Sequence, residues 1–382
     1  MKPLEIYVHI PFCVKKCNYC DFLSAPAGEQ EQRKYVESLC SQIRSYGDAA
    51  KAYRVISIFI GGGTPSVLEG EQIAEIFQAL RDAFYIEESA EITIEMNPGT
   101  VTKDKLKVYR QAGVNRLSIG LQSADNRELQ ILGRIHTFED FLETYQMART
   151  AGFGNINVDL MSAIPGQTNE SFIRTLQTVA KLEPEHISAY SLIIEEGTPF
   201  CDVYGEKNCT EGMKGPKNLK EKRAEGLEYP KLPDEDTERQ MYYDAKRILK
   251  EHGYHRYEIS NYAKEGYECL HNLGYWNRTE YLGFGDGAAS FLNHTRWMSG
   301  EEPEVLSKKD EMEEYMFLGL RKTKGVSKTK FKQEFGEEME HTYKKVLADM
   351  ESKQLLEQKG DYVRLTEKGI DISNYVMSEF LL

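Results

Sequence analysis

The chain has 382 residues, of which 40% are hydrophobic, and 61 acidic against 48 basic side chains give it a formal charge of −13. That length accommodates a large core and two domains, while the acidity argues against nucleic acid, whose phosphates call for a concentrated basic surface. No leader-like start and no apolar run of about eighteen residues occurs, so a cytoplasmic protein without a membrane span is expected. Seven cysteines, an odd number with three packed between residues 13 and 20, suit a reducing compartment better than a disulfide framework.

In chain order, short β-rich runs alternate with helical patterns, which predicts a parallel α/β fold. Strands are predicted over Glu5–Ile10, Val55–Ile60, Glu91–Met96, Arg116–Leu121, Asn155–Leu160 and His186–Leu192. Most read as near-continuous aliphatic runs, as in a sheet buried on both faces. Between them, Gln32–Ser45, Glu71–Phe84, Thr102–Ala112, Phe138–Ala151 and Glu170–Leu182 carry apolar residues at helical spacing. Six such units are too few to close an eightfold barrel, so an incomplete, laterally open (β/α)6 barrel is predicted.

The first strand runs into Cys13, Cys17 and Cys20, a C-x-x-x-C-x-x-C loop. Iron in a [4Fe–4S] cluster is normally held by four thiolates, so three leave one iron open to a small molecule. Zinc would need a fourth ligand, and His9 lies within the strand pattern instead. Cys40, Cys201, Cys209 and Cys269 are read as ordinary thiols. Further polar motifs follow the other strands: Gly61-Gly62-Gly63-Thr64-Pro65, Asn97-Pro98-Gly99, Gln122-Ser123 and Ile164-Pro165-Gly166. In parallel barrels, loops at the C-terminal strand ends form one mouth, so these residues should converge. Glycines there let backbone approach a ligand, or simply turn strand into helix. Glu95, at the end of a buried strand, needs a cation, either a ligand or a core Arg.

Beyond the barrel, residues 205–228 form a charged run that predicts a surface insertion, and helical spacing resumes over Glu238–Glu251, followed by a strand and turn over Tyr254–Tyr262. His271-Asn272-Leu273-Gly274-Tyr275-Trp276 gathers an imidazole, an amide and two large aromatics. Such groups can ligate and sandwich a porphyrin, or stitch an aromatic core. Short helices from Glu311, a hairpin over Leu355–Leu365 turning at Lys359-Gly360, and a final helix predict a small α+β, winged-helix-like domain. The expected division is a barrel over 1–235, a middle region over 236–310 and this domain over 311–382.

The cysteine loop with Gly61–Pro65, Glu95–Gly99, Ser118–Ser123, Gly133–His136, Asp159–Gln167 and His271–Trp276 resembles the HemN/HemW family of the radical S-adenosylmethionine (SAM) superfamily. The resemblance implies that Cys13, Cys17 and Cys20 hold a [4Fe–4S] cluster whose fourth iron chelates SAM. It implies that Gly62, Gly63 and Thr64 contact the methionine part and that Glu95 meets the ammonium. Gln122, Arg134 and Asp159 match positions that hold the carboxylate and ribose, and Tyr7 the tyrosine near the sulfonium. On the residue alone, Tyr7 could equally be a barrel-core aromatic. The porphyrinogen-oxidising members carry another cysteine two positions past the last cluster cysteine, where this chain has Phe22, and an N-terminal extension before the strand of Tyr7. Both departures point to the HemW-type haem chaperone branch: haem as cargo, haem-accepting proteins as partners, and membranes met only peripherally through an acceptor. His271, Asn272, Tyr275 and Trp276 are the candidate haem contacts. The alternative is a radical SAM oxidoreductase acting on coproporphyrinogen III.

Overall fold

Alternation along β1 (Lys2–Ile10) sets the architecture. Leu4, Ile6, Val8 and Ile10 are buried in the apolar layer shared with the surrounding helices, whereas Glu5, Tyr7 and His9 turn inward to Ser57, Phe59 and Gly62. The structure, a computed structural model, describes residues 1–47, 49–205 and 230–382; Cys209 and the predicted insertion from residue 206 onward lie outside them. β2 (Tyr53–Gly62), β3 (Ile86–Met96), β4 (Arg116–Gln122), β5 (Ile156–Ser162) and β6 (His186–Ser191) follow β1 in sequential parallel order. The register sets Glu95 beside Ser118 and Gly120 beside Asp159, so residues from different strands share one layer.

The strands lie where predicted, but aliphatic burial on both faces is corrected. Only the outer face is apolar. The inner face is polar and buried, with Glu5, Ser57, Thr93, Arg116, Ser118, Asn157 and His186 among its members. Buried polar groups require partners, and the ring supplies many of them: Ser57 Oγ donates to Glu5 Oε1 at 3.1 Å, Asn157 Nδ2 to Ser118 Oγ at 2.8 Å, and His186 bridges Asn157 Oδ1 (2.6 Å) and the Tyr257 hydroxyl (2.8 Å).

Both barrel edges receive strands from the middle of the chain. β7 (His255–Arg256) and β8 (Asn261–Ala263) extend the β6 edge antiparallel, and β9 (Tyr281–Phe284) pairs parallel with β1. Between β8 and β9 the helix Leu270–Trp276 crosses the barrel on its N-terminal side, away from the mouth. Glu91 accepts from the backbone N–H of Leu270 and of His271, each at 3.1 Å, and lies 3.4 Å from Cys269 Sγ. Gly274 rests on the Glu5 carboxyl, where a Cβ would collide.

Burial, reinforced by Glu91 and opposed by the Ser57 bond, raises the Glu5 carboxyl to about 9 from 4.5. A folded-state pKa above the unfolded value contributes stability that is full below about 4.5 and is lost as pH rises through about 9. Glu5→Gln, which stays neutral, should therefore flatten the fall in Tm across that window. An unchanged slope would show that Glu5 is not the titrating group.

The C-terminal part has its own core, including Met316, Phe331, Leu347, Val363 and Phe380. Helices Lys308–Gly319, Lys328–Phe335 and Lys344–Ser352 pack with a three-stranded antiparallel sheet of Val326–Ser327, Leu356–Lys359 and Tyr362–Leu365. The predicted hairpin turns at Gly360, whose φ is 61°. Among the described residues, no helix is long and apolar enough to cross a membrane.

Candidate functional site at the barrel mouth

Loops leaving the C-terminal strand ends converge on a cavity of about 140 Å³. Cys13, Cys17 and Cys20 line it together with Gly62, Gly63 and Thr64, and the opposite wall holds Glu95, Gln122, Arg134 and Asp159. The cysteine loop is pinned on both flanks. Cys13 N donates to Ala25 O (3.1 Å), and Asn18 donates through its backbone N to Leu132 O (2.9 Å) and through Nδ2 to Ile131 O (2.8 Å). The Ile131 and Leu132 carbonyls belong to the helix Asn126–Leu132, which is only 7 residues long and ends on left-handed Gly133.

All three thiols are half-buried, while Cys40, Cys201 and Cys269 are buried away from the mouth. Burial, with Cys17 and Cys13 nearby, raises the Cys20 thiol to about 11. Cys13 Sγ lies 3.4 Å from Thr64 Oγ1, and Arg134 Nη1 donates to Cys17 Sγ at 3.6 Å. Among the described residues, no three His, Cys, Asp or Glu side chains close on a single metal ion. Thiols set apart around a cavity suit a polynuclear cluster better than the compact tetrahedron of zinc.

The charged groups opposite are buried without being paired to one another. Arg134 Nη2 donates to Asn97 Oδ1 and to Gly120 O, each at 2.6 Å, and its Nε has no partner. Glu95 accepts from Gly62 N at 3.2 Å; burial, with Asp159 close by, raises it to about 8, opposed by that N–H and by the nearby core guanidinium of Arg116. Asp159 accepts from Asn157 Nδ2 (2.7 Å) and Ser118 Oγ (3.3 Å), and burial raises its pKa too. None of the three forms an ion pair among the described residues. Gln122 is held at φ 75°, uncommon for a residue with a Cβ, and accepts from the Tyr190 hydroxyl at 2.9 Å. Gly62, at φ 108°, leaves room for the His9 ring, which a Cβ would meet at 2.5 Å.

Tyr7 does not line the cavity: its hydroxyl lies 3.0 Å from His9 Nδ1, and His9 Nε2 lies 2.9 Å from Leu23 O. None of the 271–276 stretch reaches the mouth cavity. His271 is 2% exposed, stacked on Phe59 at 5.2 Å, with Nδ1 2.9 Å from Ser57 Oγ and Nε2 unpaired. Asn272, Tyr275 and Trp276 are half-buried around it. Asn97, named among the strand-end motifs, lines the cavity, and so do Tyr19 and Tyr190, to which sequence reasoning assigned no role. Asn97 immediately follows β3 and Tyr190 shares the inward alternation of His186, which are the signals that mark them; Tyr19 carries none beyond its place in the cysteine loop.

Residues 7–179 match the radical SAM superfamily and residues 306–372 the HemN C-terminal domain. The chain is 34% identical to the haem chaperone HemW of Lactococcus lactis, covering 100% of this chain and 98% of that one, and 34% identical to that of Bacillus subtilis, covering 98% of each. HemW of Escherichia coli is 38% identical over 75% of this chain and 70% of its own. Among solved structures, coproporphyrinogen III oxidase (HemN) from Escherichia coli superimposes with a TM-score of 0.82 at 23% identity, covering 100% of this chain and 90% of that one. At that identity the superposition shows the shared fold, whereas the full-length sequence matches show the branch: the chain belongs to the HemW haem-chaperone family of radical SAM proteins.

Proposed function

We propose that the protein is a haem chaperone whose barrel mouth binds a [4Fe–4S] cluster on Cys13, Cys17 and Cys20 with SAM beside it. The observation that carries the cofactor reading is the set of buried ionisable groups that line one cavity without pairing to one another: the Arg134 guanidinium on one side and the Glu95 and Asp159 carboxyls on the other. Burial pushes both carboxyls toward their neutral forms, and a zwitterionic amino acid moiety would satisfy both signs at once. Glu95 takes the ammonium and Arg134 the carboxylate. Gln122 and Asp159 take the ribose, and Gly62, Gly63 and Thr64 flank the methionine chain. Tyr7, bonded to His9 and near Glu95, stands close to the sulfonium. When bound, cluster and SAM supply the one-electron radical chemistry of the superfamily; the chain's residues orient SAM and screen it from water.

Haem is the cargo and cytoplasmic haem-accepting proteins the recipients, a reading supported by full-length similarity to proteins named haem chaperones. Phe22, 62% exposed at the mouth, stands where the resemblance places an extra cysteine in the oxidases. His271 carries the unpaired nitrogen suited to iron, its ring oriented by Ser57. In the arrangement described it is enclosed, so ligation requires the 270–276 helix to swing out of the barrel. Haem titrated into the anaerobic protein should give a saturable complex, and His271→Ala should alter its Soret band. Absence of any saturable complex with the parent protein would overturn the chaperone reading; an unaltered Soret band would remove His271 alone.

A further inference from the structure

A second cavity, of about 500 Å³, lies between the Leu270–Trp276 helix and the C-terminal domain, a size that encloses a drug-sized ligand. Leu273, Trp276 and Tyr362 give it apolar walls, and Lys322, Lys324 and Lys330 project from one stretch beside them. That stretch carries six cations and no carboxylate between 321 and 332, in a chain of net charge −13. Lys328 and Lys332 reach Glu340 and Glu338, whereas the three cavity lysines form no ion pair among the described residues. Lys322 is bonded to the neutral Asn277 side chain, and Lys324 sits 4.7 Å from the Tyr362 ring. The two carboxylates at the rim are engaged elsewhere, Glu268 with His255 and Glu334 with Arg278. Burial, then Lys330 and Lys324, pulls Lys322 down to about 8. The Trp276 indole N–H is buried without a partner, and the Arg321 guanidinium lies 4.4 Å from that ring.

Like charges drawn together around an apolar-walled cavity, whose two carboxylates are paired to other groups, describe a site for a bound anion that also has a hydrophobic body. We propose that this cavity holds the acidic edge of a planar amphipathic dicarboxylate, with its carboxylates on Lys322, Lys324 and Lys330 and its flat body against Leu273, Trp276 and Tyr362. Resting on the chaperone reading, the inference makes this the propionate-binding site of the haem cargo. His271 faces the barrel interior on the same helix, so in the arrangement described it does not ligate the iron of a haem held here.

The test uses the full-length protein, reconstituted with its cluster, titrated in parallel with haem and with haem dimethyl ester, which lacks both carboxylates. The parent should bind haem at least about tenfold more tightly than the ester, given the strength of charge-assisted bonds. Lys324→Gln with Lys330→Gln, both exposed side chains, should weaken haem binding by at least about tenfold and abolish the preference. Adding Lys322→Gln should weaken it further, with the iron–sulfur absorbance retained throughout. Equal affinities for haem and ester in the parent, or haem binding undiminished in the variants, overturns the site while leaving the chaperone reading intact. A parent that binds no haem overturns both.

Discussion

Replacing Cys13, Cys17 or Cys20 with Ala is expected to abolish the iron–sulfur absorbance of the anaerobically reconstituted protein. A cluster with only three protein thiolates has none in reserve, and each of these cysteines lines the same cavity. Cys40, Cys201 and Cys269 are buried apart from it, the last against Glu91, so Cys40→Ala and Cys201→Ala should retain the full signal. Glu95→Ala and Asp159→Ala should separate the two cofactors. Each removes a buried carboxyl but no thiolate, so the cluster persists while SAM affinity, read by calorimetry, falls roughly tenfold or more. A complete four-iron signal in all three cysteine variants would contradict the cluster site, and undiminished SAM affinity in both carboxyl variants would contradict the SAM site.

The second large effect is structural. Glu91, 7% exposed, receives two backbone N–H groups and a thiol from the start of the 270–276 helix. It also stands near Arg116, which is 1% exposed. Burial works against that guanidinium, but Cys269, Glu91, Tyr257 and Asp159 around it outweigh burial and raise its pKa. Glu91→Ala would leave the buried His271 N–H and the part-buried Leu270 N–H unsatisfied and Arg116 less compensated, losses that together amount to about 3–5 kcal/mol. The denaturant midpoint should fall accordingly, with Glu91→Gln intermediate because its amide oxygen can still accept. A loss below about 1 kcal/mol would mean the helix does not depend on this anchor.

How far the sequence could be read follows the range of the interactions involved. The cysteine loop, the glycine run and the strand-end motifs are local patterns, and the barrel brings them together as their positions after the strands foretell. The polar inner face was also local, in the alternation of Glu5, Tyr7 and His9 with aliphatic neighbours, but the runs read as uniformly apolar. The Asn126–Leu132 helix spans too few turns to show periodicity, and β8 and β9 run 3 and 4 residues. The enclosure of His271 depends on Ser57 and Phe59, more than two hundred residues earlier. The lysine cavity likewise joins elements that are separate in sequence, so no spacing announces it. Nor does composition distinguish an Arg134 partnered by an acid from one held by Asn97 and a carbonyl.

The most direct test of the chaperone reading offers coproporphyrinogen III to the same reconstituted protein that binds haem, with cluster, SAM and a reductant present under anaerobic conditions. With Phe22 exposed at the mouth in place of a further cysteine, protoporphyrinogen IX should not form above the no-enzyme control, while haem should bind saturably and pass to an acceptor apoprotein. Protoporphyrinogen IX accumulating well above that control would contradict the account and establish the oxidase alternative.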